Sequence, residues 1–357
     1  LKVMCKSLLK LNNNLLGGAS IYFAANIINA IISFLLLPLL TRALNPEAFG
    51  VIAMFLVVLS SLGAFTGLSV HGAVSVNYFK GNRDYFPQFI GNCFFILIIS
   101  SIFTGLIINT YSIYLTNLIG LERQWLILAV IISAGQFIIN IRLMIWQVRE
   151  NPIKYGIFQI SFSGINACIS IFLRTLLHWS EAWRIWGIVI TILIFAIFSL
   201  VTLYKDGLIK LKWDKKLLNE ALDWGIPLIP HVIGGLIMVT VDRFIITRQL
   251  GLESTGIYFI AIQVAMPIIM IGNSFNNAFR PWLYKKLANG DDALAVIISY
   301  VSMVCFLLIG ICYAFFIYYI FPYFIGEKYI NARWVGVILI LSNTFQILYY
   351  TVSNYIL

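Results

Sequence analysis

The stretch TRALNPEAFG, residues 41–50, returns in similar form as TRQLGLESTG at residues 247–256, which is 206 positions further along the chain. Beyond the next apolar segment the same offset aligns Lys80 with Lys286. Because the register holds across that segment, the two copies indicate an internal duplication rather than the convergence of two similar turns. Aligned over twelve positions, the copies share five identities: Thr41/Thr247, Arg42/Arg248, Leu44/Leu250, Glu47/Glu253 and Gly50/Gly256.

The sequence around the two copies has the composition of a membrane protein. Hydrophobic residues make up 61% of the 357 residues and charged residues 11%, against roughly 45–50% and about 25% in soluble domains. No segment between the apolar runs is long enough to bury a core of its own. The net charge of +10 is spread along the chain between these runs. This distribution favours membrane lipids as partners and argues against nucleic acid.

Windows of about 20 apolar residues predict ten membrane spans. The first is too long for the apolar region of a cleaved signal peptide, so we expect it to remain as a helix. Backbone in lipid is satisfied only in a helix or a closed barrel, and these runs lack the strict alternation of a barrel. The sequence therefore predicts an all-α polytopic membrane protein with spans at residues 15–40, 49–76, 89–109, 125–148, 156–177, 185–204, 225–247, 256–279, 294–320 and 334–357.

The basic residues predict the orientation of these spans. With the N terminus in the cytoplasm, 16 of the 24 Lys and Arg residues lie on or near the cytoplasmic side, as the positive-inside bias requires. All nine Trp residues fall at or near span ends, where an interfacial aromatic belt is expected. The two patterns support the same assignment of spans.

The duplication predicts how the spans are organised. Six spans separate the two copies, so both halves insert with the same orientation and form parallel six-helix repeats around a central cavity. We predict an N-terminal bundle at residues 1–204, a basic cytoplasmic linker at 205–224 and a C-terminal bundle of four helices at 225–357. The repeat predicts that about 50 residues and two further helices belong after Leu357, in a twelve-span protein. Two such halves are typical of transporters that work by alternating access.

Three stretches carry a resemblance to a known family: LLLPLLTRALNPEAFGVIAMF at residues 35–55, ALDWGIPLIPHVIGGLIMVTVDRFIITRQLGLESTGIYFIA at 221–261 and NSFNNAFRPWLYKK at 273–286. The sequence resembles the polysaccharide biosynthesis transporters, specifically the Wzx-type O-antigen flippases. These belong to the multidrug/oligosaccharidyl-lipid/polysaccharide exporter superfamily. The spacing of the spans agrees with this resemblance along the whole chain.

The resemblance implies a function and a set of partners. We expect translocation of an undecaprenyl-pyrophosphate-linked oligosaccharide, the O-antigen repeat unit, from the cytoplasmic to the periplasmic leaflet. This places the chain in a bacterial inner membrane, with an O-antigen polymerase and a chain-length regulator as candidate protein partners. Pyrophosphate and sugar need a wet cavity that offers cations, amides and hydroxyls.

Charged residues inside spans are the first candidates for that cavity. Arg142 lies about six residues, or roughly 9 Å, from the cytoplasmic end of its span, and Arg174 is closer to an outer end. Either side chain could instead reach the interface by snorkelling. Asp242 and Arg243 lie four or five residues inside the seventh span. We expect them to line the cavity or to form structural ion pairs with another span.

Polar and flexible residues complete the candidate set. Each set of polar residues lies on one helix face, because its members are three or four residues apart. Such a face could either line the cavity or form hydrogen bonds to another helix. Pro230 removes a helix hydrogen bond, and with Gly234 and Gly235 it predicts a hinge in the seventh span. The polar candidates are Asn26 and Asn29, Gln136 and Asn140, and Asn276 and Asn277, which follow Asn273 by three and four residues.

Other functions fit the sequence less well. A cation-coupled multidrug exporter of the same superfamily is the main alternative, but it would favour acidic cavities, and Asp242 is the clearest acid within a span. The loop at residues 110–124 lacks a catalytic constellation, so we do not expect an enzyme. The five Cys residues form no CxxC pair, so we expect neither a disulfide framework nor a metal site. We also expect no cofactor. His71 and His231 are interpreted as packing residues or proton relays.

Overall fold

The computed structural model describes residue 21 and residues 24–25, 27–80, 85–175 and 182–355. Within these ranges the chain is helical almost throughout and contains no strand, which confirms the predicted all-α fold. The helices are α1 (Ile27–Ala43), α2 (Pro46–Phe65), α3 (His71–Lys80), α4 (Phe86–Thr110), α5 (Ser112–Ile119), α6 (Arg123–Val148), α7 (Pro152–Thr175), α8 (Trp183–Lys205), α9 (Lys215–Ala288), α10 (Asp292–Phe324) and α11 (Ala332–Ser353).

The helices follow the predicted spans closely. In the described part of the chain, eight of them are long and apolar enough to cross a membrane, and α1 is a shorter apolar helix. The 74-residue α9 is two helices that meet at Gly251, so it accounts for two predicted spans. The short α5 lies in the predicted loop at residues 110–124 and ends at Gly120, whose φ of 77° forms a left-handed cap.

The duplicated stretch is the junction between two helices in both halves. In the first copy α1 ends at Ala43, and the Asn45 side chain caps α2 by accepting a hydrogen bond from the Ala48 N–H at 2.7 Å. Pro46 follows as the first helical residue, where its fixed φ and missing N–H are favourable. In the second copy Gly251 occupies the position of Asn45, and it breaks α9 with a φ of 84° and a ψ of 176°. The offset of 206 residues therefore holds in the structure at this point.

The predicted span at residues 49–76 is interrupted, which corrects the prediction of one continuous helix. Between α2 and α3 the chain makes a turn in which Gly67, Leu68 and Ser69 all have positive φ, at 79°, 46° and 55°. Left-handed backbone is unfavourable for residues with a Cβ, so surrounding contacts must hold the turn. The Ser100 hydroxyl of α4 provides one such contact by accepting the Gly67 N–H at 2.8 Å.

Contacts between residues divide the chain into two compact units. Unit 1 takes in the described residues of Leu1–Asn29 and Val51–Leu252, and unit 2 comprises Ala30–Gly50 and Glu253–Leu357. The predicted division at residues 1–204, 205–224 and 225–357 stays a prediction. In unit 1, α4, α6 and α8 contribute fully buried side chains to one apolar core, among them Phe89, Ile141 and Leu203. Phe158 of α7 packs edge-on against Trp146 of α6 and Phe195 of α8.

Unit 2 is built on the first copy of the duplicated stretch. The Arg42 guanidinium donates to the Tyr323 carbonyl at 3.0 Å, and the Thr41 hydroxyl accepts the Gly326 N–H at 3.1 Å. The buried Tyr329 hydroxyl donates to the Leu44 carbonyl at 3.1 Å. These bonds fix the chain where α10 ends, so residues 41–44 have a structural role in unit 2.

Candidate functional site

Arg142 is buried in an ion pair. Its side chain is 4% exposed, and Nη1 lies 2.7 Å from Oδ2 of Asp206, the residue that follows α8. The two groups form an ion pair without an aligned hydrogen bond, and the guanidinium also stacks on the Trp146 ring at 4.2 Å. The ion pair links α6 to the end of α8. That Arg142 lines a substrate cavity stays a prediction.

Asp242 and Arg243 are half-buried in the first part of α9. One Asp242 carboxylate oxygen accepts the backbone N–H of Arg243 at 2.7 Å. Their counterparts at the repeat offset, Leu36 and Leu37, are buried. The two halves therefore differ chemically at this depth, as the sequence indicated, and the role of the pair in a cavity stays a prediction.

The remaining sequence candidates have different environments. Arg174 is exposed in the last turn of α7. Asn29 is half-buried, and its side-chain oxygen receives no hydrogen bond from a described residue. Asn26 lies outside the described residues. Gln136 donates to Asn140 at 3.3 Å along α6, so this predicted pair does share a helix face.

Asn276 belongs to a polar cluster that sequence reasoning only partly found. Its side-chain oxygen accepts the buried Asn354 amide at 2.8 Å, and the Asn354 oxygen accepts the Arg280 guanidinium at 3.3 Å. Asn277, the next residue along α9, is exposed. The interaction therefore links α9 to the end of α11 within unit 2.

The predicted hinge lies within continuous helix in this structure. The backbone of α9 is helical through Pro230, Gly234 and Gly235, and it departs from helical geometry at Gly251. A Cβ at Gly234 or Gly235 would meet nothing within 4 Å, so neither glycine serves close packing here. Hinge motion about these residues stays a prediction.

A polar cluster between α7 and α8 was missed at the sequence level. We call it the Arg184 cluster, and it consists of Asn166, Ser170, Arg184 and Thr191. Arg184 Nη1 donates to the Asn166 side-chain oxygen at 2.6 Å and to the Ser170 hydroxyl at 2.7 Å. The Asn166 amide in turn donates to the Gly187 carbonyl and the Thr191 hydroxyl, both at 3.3 Å.

A span boundary explains why this cluster was missed. The sequence prediction began the sixth span at residue 185 and counted Arg184 among the flanking charges, whereas α8 begins at Trp183. Arg184 therefore lies in the first turn of a membrane-spanning helix. The four-residue spacing of Asn166 and Ser170 was the available signal, since it puts both side chains on one face of α7.

The Arg184 cluster continues a line of polar side chains along α7. Tyr155, Gln159, Ser163, Asn166 and Ser170 follow at intervals of four, four, three and four residues, so they occupy one stripe of the helix. Gln159 donates to the Tyr155 hydroxyl at 3.4 Å, and Ser163 and Asn166 are half-buried. A span of this kind presents hydroxyl and amide groups over most of its length.

Charge in this part of unit 1 has one sign. Helices α4, α6, α7 and α8 contain six Lys and Arg residues and no Asp or Glu. In the described residues no group of His, Cys, Asp and Glu side chains is arranged to hold a metal ion. These spans can therefore offer donors to anions and hydroxyl groups, and they offer no carboxylate to a cation.

Comparison with known proteins identifies the family of the chain. The sequence matches the polysaccharide biosynthesis protein family over residues 15–287. The chain belongs to this family. The resemblance recognised in the sequence is thereby confirmed at the level of a polysaccharide biosynthesis transporter.

Relatives and solved structures agree with the assignment to the polysaccharide biosynthesis protein family. The chain is 25% identical over 359 aligned positions to protein 1 of the Lsg locus of Haemophilus influenzae, covering 94% of this chain and 83% of that protein. A membrane protein of the same organism is 24% identical over 362 positions, covering 96% and 84%. The fold is similar to a multidrug resistance MATE transporter of the MOP superfamily in an inward-facing conformation, with a TM-score of 0.62, 14% identity and coverage of 95% and 86%. A eukaryotic MATE transporter is similar with a TM-score of 0.54, 13% identity and coverage of 97% and 82%.

These findings establish a multi-pass membrane protein of the polysaccharide biosynthesis family with the fold of the MOP superfamily. The structural likeness is at low sequence identity, so it supports the fold and leaves the substrate to the chemistry of the chain.

Proposed function

We propose that this protein translocates an undecaprenyl-pyrophosphate-linked oligosaccharide, the O-antigen repeat unit, from the cytoplasmic to the periplasmic leaflet of a bacterial inner membrane. Family membership supports the link to polysaccharide biosynthesis, and the transporter fold supports movement across the membrane rather than catalysis. An O-antigen polymerase and a chain-length regulator are the protein partners that this function would require next.

The observation that carries the proposal is the charge of α6, α7 and α8, which contain six Lys and Arg residues and no acid, while the neighbouring α4 carries no charged residue. A pyrophosphate is a strong acceptor for guanidinium and ammonium groups. Sugar hydroxyl groups pair with amides and hydroxyls such as those along α7. A charged group within a membrane span is costly, so its presence favours a functional or paired role.

A cation-coupled multidrug exporter is the alternative that the sequence left open. A transported cation is stabilised by carboxylates, and these four helices provide none. Asp242 in α9 is the acid that an exporter of cations could use. The charge pattern of α4, α6, α7 and α8 therefore favours the anionic lipid-linked saccharide.

Complementation tests the proposal directly. The intact gene is expressed in a bacterium that lacks its own O-unit flippase and makes a matched sugar repeat. We expect surface polysaccharide to return and the lipid-linked precursor to stop accumulating. Arg243→Ala, checked for equal protein in the membrane, tests the predicted cavity residue in the same strain. Failure of the wild-type protein to restore surface polysaccharide, with expression verified, would reject the function.

A further inference from the structure

We propose that Arg184 is a binding position for the phosphate groups of the transported lipid, held ready by Asn166 and Ser170. The inference rests on the proposed function and adds a residue that the sequence did not single out. By the predicted topology, the start of α8 lies on the extracytoplasmic side. Arg184 would therefore meet the phosphate groups as they reach the outer leaflet.

The hydrogen bonds of Arg184 leave one edge of its guanidinium available. Asn166 and Ser170 both accept from Nη1. No described residue accepts a hydrogen bond from Nε or Nη2, and these two N–H groups form the edge that binds phosphate or carboxylate with two parallel bonds. The hydrogen bonds to Asn166 and Ser170 therefore use Nη1 alone. The edge formed by Nε and Nη2 stays available to bind a ligand through two hydrogen bonds.

The charge of Arg184 is not balanced by its described neighbours. Its partners Asn166 and Ser170 are neutral, and no described carboxylate lies within 4.0 Å of it. The ion pairs recorded in the described chain join Arg142 to Asp206 and Lys286 to Asp291. An anion would supply the missing counter-charge, because a cation removed from water is stabilised most by an opposite charge.

Packing fixes the orientation of the guanidinium. A Cβ at position 187 would overlap the Ser170 hydroxyl and lie 3.2 Å from its Cα, so Gly187 permits the close approach of α8 to α7. The Asn166 amide is held by α8 through Gly187 and Thr191, which directs its oxygen toward Arg184. Because the cluster is organised before any ligand arrives, binding would require little further ordering.

The experiment measures lipid binding to the purified full chain in detergent by native mass spectrometry. The probes are undecaprenyl diphosphate, undecaprenol with the same tail but no phosphate, and phosphatidylglycerol as an abundant anionic headgroup. We expect the wild type to prefer undecaprenyl diphosphate. Arg184→Gln should weaken that binding about 10- to 100-fold, as expected for loss of charge-assisted hydrogen bonds. Undecaprenol binding should not change.

Arg123→Gln is the matched control. Arg123 also lies in the first turn of a span and donates to an asparagine oxygen, that of Asn109 at 2.6 Å, but it is exposed. The Arg123→Gln variant should therefore bind undecaprenyl diphosphate with unchanged affinity. Arg184→Lys keeps the charge without the two-pronged edge, and it should bind more weakly than wild type and more tightly than Arg184→Gln.

The outcomes separate the inference from the proposed function. Wild-type affinity in Arg184→Gln would overturn the inference, while complementation by the wild-type gene would still support transport. Equal loss of undecaprenyl diphosphate and phosphatidylglycerol binding would assign the site to resident phospholipid and overturn its assignment to the transported lipid. If Arg184→Gln does not fold, Arg184→Lys decides, and wild-type affinity in that variant would reject bidentate binding. Failure of wild-type complementation would reject the function itself.

Discussion

The buried ion pair of Arg142 is the charged contact whose strength can be tested most directly. Asp206→Asn removes the carboxylate and leaves the guanidinium buried in α6. Because the Asp206 side chain is 39% exposed, we expect a loss of about 1–3 kcal/mol of unfolding free energy, less than for a fully buried pair. Chemical denaturation in detergent, followed by tryptophan fluorescence, measures the change.

The exposed pair of Lys286 and Asp291 serves as the control. These side chains are 30% and 48% exposed with nitrogen and oxygen 2.9 Å apart, so Asp291→Asn should cost about 0–1 kcal/mol. Equal losses in Asp206→Asn and Asp291→Asn would contradict the claim that burial makes the first pair important.

Gly256 shows why the duplicated stretch keeps a glycine. A Cβ at this position would overlap the Pro46 carbonyl oxygen and lie 2.8 Å from the Gly50 nitrogen, all within unit 2. Since both obstacles are backbone atoms, Gly256→Ala should force the helices apart at a cost of about 1–3 kcal/mol. Gly63→Ala makes the same change where nothing lies within 4 Å, and it should be neutral or stabilising. Thermal denaturation of both variants checks the expectation, and similar midpoints would count against it.

The candidate site was only partly predictable at the residue scale. Arg142, Asp242 and Arg243 are visible in the sequence because a charge inside an apolar run stands out. The Arg184 cluster is not, since the predicted span begins at residue 185 and α8 begins at Trp183. A difference of two residues in the helix boundary therefore decides whether Arg184 is in a span or beside it. Its partners also come from a neighbouring helix, and single-sequence spacing contains no information on that contact.

Among the elements, the turn between α2 and α3 depends on a hydrogen bond from another helix. Ser100→Ala would leave the Gly67 N–H without its acceptor in a buried position. We expect a loss of about 1–3 kcal/mol. Ser101 is a natural control, because its buried hydroxyl has no hydrogen-bond partner in the described structure. Ser101→Ala should therefore be neutral. Denaturation of the two variants distinguishes them, and an equal effect would mean that the turn does not rely on Ser100.

Hydropathy predicted the spans well but missed this turn for a physical reason. Residues 49–76 contain no Asp, Glu, Lys or Arg. Such a run indicates that the segment can enter lipid, but it does not determine the backbone conformation. The turn is set by tertiary contacts: Ser100 holds Gly67, and a Cβ on Gly67 would overlap the Phe137 ring. The break in α9 was easier to anticipate, because Gly251 lies in the polar stretch that the duplication marked.

On the scale of the whole molecule, the duplication was the most informative feature of the sequence. Asn45 caps a helix in one copy, and Gly251 interrupts the helix α9 in the other. The two copies therefore form the same junction with different residues, at a position where their sequences differ. The two halves also differ in charge, because Leu36 and Leu37 occupy the repeat positions of Asp242 and Arg243.

The predicted topology makes a final test possible on the whole chain. Three spans, namely the two parts of α9 and α10, separate Lys212 from Lys328, and both side chains are exposed. On a background in which the native Cys residues are replaced by Ala, Lys212→Cys and Lys328→Cys are treated with a membrane-impermeant maleimide. We expect labelling of Lys328→Cys in intact spheroplasts and of Lys212→Cys only after the membrane is opened. The reason is that the loop containing Lys212 is rich in Lys, and such loops stay on the cytoplasmic side. The reverse pattern would invert the topology and place the Arg184 cluster on the cytoplasmic side. Labelling of both from outside would require an even number of crossings and would contradict the division of α9 into two spans.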